Sequence, residues 1–296
     1  LMGKQAALFL PSGTMCNQIA MATHCRPGDE ILAHETAHIL TSEGGGAAAI
    51  AGVQITGLKG ASGQFDGDTL RAALRPRSRN APPQTLVEVE QTANSGGGTV
   101  WPLARLAEIS SIARENGMAT HIDGARLQNA VVESGVAVKE MVAGFDSLWL
   151  DFTKGLGTGV GAVLVGSRDF IGQAWRWKQR MGGAMRQSGM LAAGCLHALD
   201  HHIDRLAEDH VNAKSLVRGL AQIPGIVAEP AHTNLVFFNT QGAGMTAAEF
   251  AGAARRQGVA FSTNGRYRVR ACTHLGVNAA QIEQALAVAR QVAAKA

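Results

Sequence analysis

Short apolar runs alternate along this chain with stretches whose apolar residues recur every three to four positions. Residues 6–11, 30–33, 84–89, 118–122, 147–152 and 162–165 are compact apolar runs of strand length. Between them, 15–23 has helical character. Pro102 opens a helix with apolar Leu103, Leu106, Ile109, Ile112 and Ala113, closed by Gly117. The strand at 118–122 follows at once, and 137–143 is helical before the strand at 147–152. Strand, helix and strand in repetition predict an α/β fold with a mostly parallel central sheet and helices on both faces. Residues 187–221 carry one long helical pattern, and beyond Pro224 the elements shorten: strand 234–238, helix 247–256, strand 268–272, helix 279–292. The spacing predicts a large α/β domain over 1–215 and a small C-terminal α+β domain over 216–296.

Composition narrows the class. The apolar fraction of 46% and charged fraction of 17% are those of a soluble enzyme that buries a sizeable core. The net charge of +4 comes from scattered Lys and Arg, with no basic stripe interleaved with aromatics, which argues against a nucleic-acid partner. Cys16, Cys25, Cys195 and Cys272 lack metal-ligand spacing and suit reduced thiols in a cytoplasmic protein. No apolar run is long enough to span a membrane. The chain starts at Leu1, and 6–10 already reads as an element in progress, so its natural N-terminus is expected to lie further upstream.

The candidate chemistry sits at two strand ends. H-I-D-G-A-R at 121–126 and D-F-T-K-G-L-G-T-G-V-G at 151–161 each follow a predicted strand, placing Asp123 and Lys154 at neighbouring strand ends. Pyridoxal 5'-phosphate chemistry needs that pair. The lysine forms a Schiff base with the cofactor aldehyde, and the carboxylate keeps the pyridine nitrogen protonated so that the ring accepts electrons. Ser12-Gly13-Thr14 precedes the first helix, where free N–H groups and the helix dipole favour a phosphate. That chain order fits one cofactor lying across the carboxyl ends of the sheet.

Three other motifs are set aside. His34-Glu35-Thr36-Ala37-His38 matches H-E-x-x-H, but a strand precedes it and 42–46 closes off any helix, so no metal site is predicted there. The glycines at 155–161 are misplaced for a dinucleotide loop and lead into a strand. His201-His202 with Asp200 and Asp204 reads as a solvated helix face.

Taken together, L-F-L-P-S-G-T-M-C-N-Q at 8–18, A-H-I-L-T-S-E-G-G-G-A-A at 37–48, H-I-D-G-A-R-L-Q-N-A at 121–130, F-T-K-G-L-G-T-G-V-G at 152–161, G-G-A-M-R-Q-S-G at 182–189, E-D-H at 208–210 and R-A-C-T-H-L-G-V at 270–277 resemble the low-specificity threonine aldolases, within the fold-type I pyridoxal phosphate enzymes. The resemblance implies that Lys154 is the Schiff-base lysine and Asp123 the partner of the pyridine nitrogen. It implies that Ser12, Gly13 and Thr14 hold the phosphate, with Arg186 reaching it from a neighbouring subunit of a dimer or tetramer. It puts Arg126 near the cofactor hydroxyl and the substrate carboxylate, Arg270 on that carboxylate, and His38 stacked on the ring near the substrate hydroxyl, as base or as stacking partner.

The implied activity is cleavage of the Cα–Cβ bond of threonine, allo-threonine or a related β-hydroxy-α-amino acid to glycine and an aldehyde. The alternatives are a relative acting on aryl or acidic β-hydroxy amino acids, a β-eliminating lyase, or an inactive truncated scaffold. Three positions depart from the family pattern. Ala93 stands where the family has a His near the substrate hydroxyl, which predicts a roomier pocket. Lys178-Gln179 replaces an Arg-Lys pair, and Gly159 replaces a Pro after the lysine.

Overall fold

A computed structural model describes residues 1–294 in two compact units, Leu1–Ile203 and Asp204 onward. The first unit runs β1 (Ala6–Leu10), α1 (Gly13–His24), β2 (Glu30–His34), α2 (His38–Thr41), β3 (Gln54–Leu58), α3 (Gly67–Ala73), β4 (Gln84–Glu90), α4 (Leu103–Glu115), β5 (Ala119–Asp123), α5 (Leu127–Ser134), α6 (Val138–Met141), β6 (Ser147–Asp151), β7 (Ala162–Gly166), α7 (Arg168–Arg180) and α8 (Gly189–His201). Its seven strands form one sheet in the order β1-β7-β6-β5-β4-β2-β3. The core from β6 to β3 is parallel, as the strand–helix–strand rhythm predicts, while β7 runs antiparallel to both β6 and β1. β2 and β6 are buried at all five positions, the signature of a strand covered on both faces.

Strand direction decides where the chemistry gathers. β2, β4, β5 and β6 are parallel, so His34, Glu90, Asp123 and Asp151 end them on one edge. β1 opposes β7 and β7 opposes β6, so β1 also leaves on that edge and α1 begins there. Ser12 starts α1 by accepting the Met15 N–H at 3.2 Å, and Cys16, Ile19 and Ala20 then bury one stripe against Leu8, Leu10, Trp149 and Leu164.

The second unit holds α9 (Leu206–Leu220), β8 (Val227–Ala228), β9 (Leu235–Asn239), α10 (Ala247–Arg255), β10 (Ser262–Thr263), β11 (Arg268–Cys272) and α11 (Ala279–Ala293). The four strands form an antiparallel sheet, β10-β11-β9-β8, over a core that includes Phe238, Phe250, Phe261 and Leu286. Capping boxes start α10 (Thr246 with Glu249) and α11 (Asn278 with Gln281).

Two expectations change. The helical stretch expected over 187–221 is broken, because the chain turns between His201 and Leu206. β3 and α3 were not apparent in the sequence. β3 is a half-exposed edge strand containing Gly57, and only two of the seven α3 residues are buried, so neither carries a strong apolar pattern.

Candidate active site

The strand-end edge carries a buried hydrogen-bonded cluster centred on Asn17. One turn into α1, Asn17 donates through Nδ2 to Asp123 Oδ2 and to Glu43 Oε1, both at 2.8 Å. Its Oδ1 accepts from Trp149 Nε1 at 2.7 Å and lies 3.3 Å from His121 Nε2. Asp123, at the end of β5, is buried, and its Oδ1 also accepts the Ala125 N–H at 3.0 Å. Burial pushes its carboxyl above the ordinary aspartate range, opposed by the positive charge of Lys154 and by the Asn17 donor. Among the described residues, none of its hydrogen bonds comes from a cation.

His38 opens α2 with Nδ1 3.0 Å from Glu43 Oε1. That hydrogen bond raises its pKa above the usual 6.5, with partial burial opposing and Asp123 and Glu90 assisting. His38, Glu43 and Asp123 offer donor atoms within 4.8 Å of one another. The amide of Asn17 already bridges the two carboxylates, which makes this a hydrogen-bonded cluster. The H-E-x-x-H pattern fails structurally, since His34 lies on β2 and His38 on α2, off any shared helix face. Both ring nitrogens of His34 are engaged, Nδ1 with Thr36 and Nε2 with the Gly60 carbonyl.

Lys154 follows β6 in a tight loop. Its Nζ pairs with Asp151 Oδ2 at 2.6 Å and sits 5.3 Å above the Trp149 ring centroid, with the side chain 38% exposed. The Gly157 N–H returns to the Lys154 carbonyl and Phe152 N–H to Gly161 O, so the loop closes on itself. Gly157 takes a left-handed φ of +71°, whereas nothing crowds Gly159, so the missing Pro leaves open space.

Gly13 packs against the same Trp149 ring. A Cβ there would come within 2.0 Å of Cη2 of that ring, so the first turn of α1 approaches the lysine platform only because residue 13 has no side chain. Ser12 and Thr14 flank it and are exposed. Trp149 thus ties the predicted anion site to Lys154.

Arg126 is buried at the start of α5. Its guanidinium reaches Asn94 Oδ1 at 3.4 Å, and its Nε is buried without a hydrogen-bond partner. Glu90, in register with Asp123, accepts the Asn94 N–H, and burial with the nearby Asp123 pushes its carboxyl up to about 7. Two residues back on the same face of β4, Glu88 has both oxygens buried and unpartnered. Burial, with Asp123 and Glu90 nearby, pushes its carboxyl well above the carboxylate range.

Two predicted residues belong to other elements. Arg186 is exposed in the segment between α7 and α8. Arg270 is on β11 of the second unit, opposite Phe237 of β9. Ala93 is fully buried, and a Cβ built on Gly63 would come within 2.7 Å of its own, so the turn at 61–63 takes up space beside it. That packing runs against the expected roomier pocket.

Asn17, Glu43, Glu90, Asp151 and Trp149 received no role from the sequence. Asp151 carried a usable signal, since it precedes Lys154 by one turn's spacing. The partners of Asn17 lie 26, 104, 106 and 132 residues away, so no local pattern reveals them.

A family model described as beta-eliminating lyase matches residues 1–243. The chain belongs to the beta-eliminating lyase family. It is 36% identical to low-specificity L-threonine aldolase 1 of Arabidopsis thaliana, across 98% of this chain and 83% of that one. It is 40% identical to the low specificity L-threonine aldolase of Escherichia coli K12, across 80% and 70%. Among solved structures, the threonine aldolase of Leishmania major superposes with a TM-score of 0.83 at 22% identity, covering 97% of this chain and 84% of that one. The serine palmitoyltransferase of Sphingomonas wittichii gives 0.76 at 18%, covering 99% and 73%. These two likenesses establish the fold alone, a family fold that agrees with the α/β class read from the sequence.

Proposed function

We propose that this chain is a pyridoxal 5'-phosphate-dependent carbon–carbon lyase that splits threonine, allo-threonine or related β-hydroxy-α-amino acids into glycine and an aldehyde. The observation that carries this reading is Asp123, a buried strand-end carboxyl with no cationic hydrogen-bond partner. A buried carboxylate so placed is stabilised by a cation brought to it, and a protonated pyridine nitrogen is such a cation. The buried unpartnered Nε of Arg126 fits a bound polar group as well. Both relatives named from Arabidopsis and Escherichia coli are low-specificity L-threonine aldolases, which supports the substrate class.

In this reading Lys154 holds the cofactor, and Ser12, Gly13 and Thr14 hold its phosphate at the start of α1, joined by Arg186 from a second copy in a dimer or tetramer. The bound cofactor supplies an aldehyde for amines and a ring that takes up the electron pair left when Cα–Cβ breaks. Asp123 holds the proton on the ring nitrogen. Arg126 and Arg270 orient the substrate carboxylate, a planar two-point contact suited to guanidinium. His38 accepts the β-hydroxyl proton, a role that needs the neutral ring. Asp151 holds the Lys154 ammonium when no cofactor is bound. Among the described residues no helix is long and apolar enough to cross a membrane, which supports a cytoplasmic setting.

The test is turnover. Purified protein with pyridoxal phosphate and threonine is expected to release equimolar glycine and acetaldehyde, with activity in a species of dimer size or larger by light scattering. Threonine left intact by the loaded protein would defeat the proposal, and full activity in a monomer would remove the role given to Arg186.

A further inference from the structure

Glu43-Gly44-Gly45 forms the turn that follows α2, and its glycines make one arrangement possible. Gly44 and Gly45 take left-handed φ of +62° and +74°, and a Cβ on Gly46 would lie 2.4 Å from Gln18 Nε2. This path seats the Glu43 side chain, fully buried, between α1 and α2. There it is held by Gln18 Nε2 at 2.6 Å on Oε2 and by Asn17 Nδ2 at 2.8 Å on Oε1. The same Oε1 faces His38 Nδ1 at 3.0 Å. The amide that holds Glu43 also holds Asp123.

We propose that Glu43 is a positioning residue for the lyase reaction, fixing His38 as its Nδ1–H tautomer and, through Asn17, fixing the carboxylate of Asp123. The inference deepens the site reading above and rests on it.

A neutral imidazole carries one N–H and one lone pair. Facing a carboxylate, Nδ1 must be the N–H, which leaves Nε2 as the lone pair able to take a proton. The carboxylate also favours the imidazolium formed when that proton arrives. Three acids act on His38 from the elements around it, Glu43 from its own turn, Asp123 from β5 and Glu90 from β4, and of these Glu43 makes the hydrogen bond. Asn17 has a single Nδ2 donating to both Glu43 and Asp123, so moving one carboxylate reorients the donor to the other. The proton-accepting ring and the carboxylate assigned to the pyridine nitrogen are therefore set by one buried group, and the glycine run exists to bring it there.

The experiment is a ¹⁵N titration of the histidine side chains in the cofactor-free chain, with His38 assigned by its absence in His38→Asn. His38 is expected to be the Nδ1–H tautomer with a pKa above 6.5. In Glu43→Gln the pKa is expected to fall by about one unit or more, since an opposite charge at hydrogen-bond distance is worth about that much. Glu43→Asp, which keeps the charge, should recover part of the shift. In the loaded enzyme Glu43→Gln should lower kcat more than it raises KM and move the acidic limb of the kcat profile to lower pH. An Nε2–H tautomer in the unsubstituted protein, or a folded Glu43→Gln with an unmoved His38 pKa, would overturn the assignment. If Glu43→Gln does not fold, the tautomer alone decides. Because it is read without cofactor or turnover, it fails or succeeds independently of the lyase reading.

Discussion

Replacing Asn17 with Leu, nearly the same shape, removes the centre of the buried cluster. Two carboxylates lose an N–H donor, and the Trp149 indole loses its acceptor. Hydrogen bonds to ionised groups are worth about 1.5–3 kcal/mol each, so the two carboxylate bonds amount to about 3–6 kcal/mol. The extra apolar burial of Leu returns on the order of 1 kcal/mol. A net loss of about 2–5 kcal/mol is then a large share of the 5–15 kcal/mol typical of a folded domain. The loss also has a sign with pH. Asp123 already has a folded pKa above its unfolded value, and removing its donor raises the folded value further. The penalty therefore grows as pH rises through the folded Asp123 value, itself above the ordinary aspartate range, and fades below it, where the folded carboxyl is protonated with or without the donor. Urea unfolding of the cofactor-free protein by tryptophan fluorescence reports it directly, because Trp101, Trp149, Trp175 and Trp177 all lie in the first unit. A loss under about 1 kcal/mol at pH 8, or a loss larger at pH 4 than at pH 8, would refute the role given to Asn17.

Other outcomes follow from the same geometry. Gly13→Ala drives a methyl into Trp149 and should cost about 1–3 kcal/mol by overpacking while weakening cofactor binding, measured by thermal melts with and without cofactor. Asp123→Asn should retain cofactor yet lose at least about a hundredfold in kcat, since an amide cannot stabilise a protonated pyridine, and steady-state kinetics on the loaded variant will show it. With Ala93 in place of a histidine, one polar contact to the substrate hydroxyl is missing, so kcat/KM should differ little between threonine and allo-threonine. Strong preference for one threonine diastereomer would mean that another residue supplies the missing contact.

What was legible in the chain was what strand and helix periodicity carries. The apolar run at 118–122 and the Pro102–Gly117 helix fixed a strand–helix–strand unit, and with it the strand end at Asp123. Lys154 followed from the next apolar run. The antiparallel placement of β7 beside β6 was hidden, because strand direction leaves no mark on a buried five-residue segment. The cluster around Asn17 was hidden for a different reason. Its hydrogen bonds join α1, the turn after α2, β5 and β6, and a polar residue on a helix face looks the same in sequence whether it is solvated or buried. The E-G-G-G run was visible as a motif, but its purpose became clear only when Gly46 was found against Gln18. Ala93 shows the converse: a missing side chain reads as empty space in sequence, while in the fold the turn at Gly63 lies against it.

The central claim is that Lys154 carries the cofactor of a lyase. Borohydride reduction of the protein loaded with pyridoxal phosphate, followed by peptide mapping, tests it most directly. The account predicts a single stable label on the peptide containing Lys154, with both the label and threonine cleavage lost in Lys154→Ala. A label on Lys178 instead, or none on any lysine of a folded, cofactor-treated chain, would contradict it.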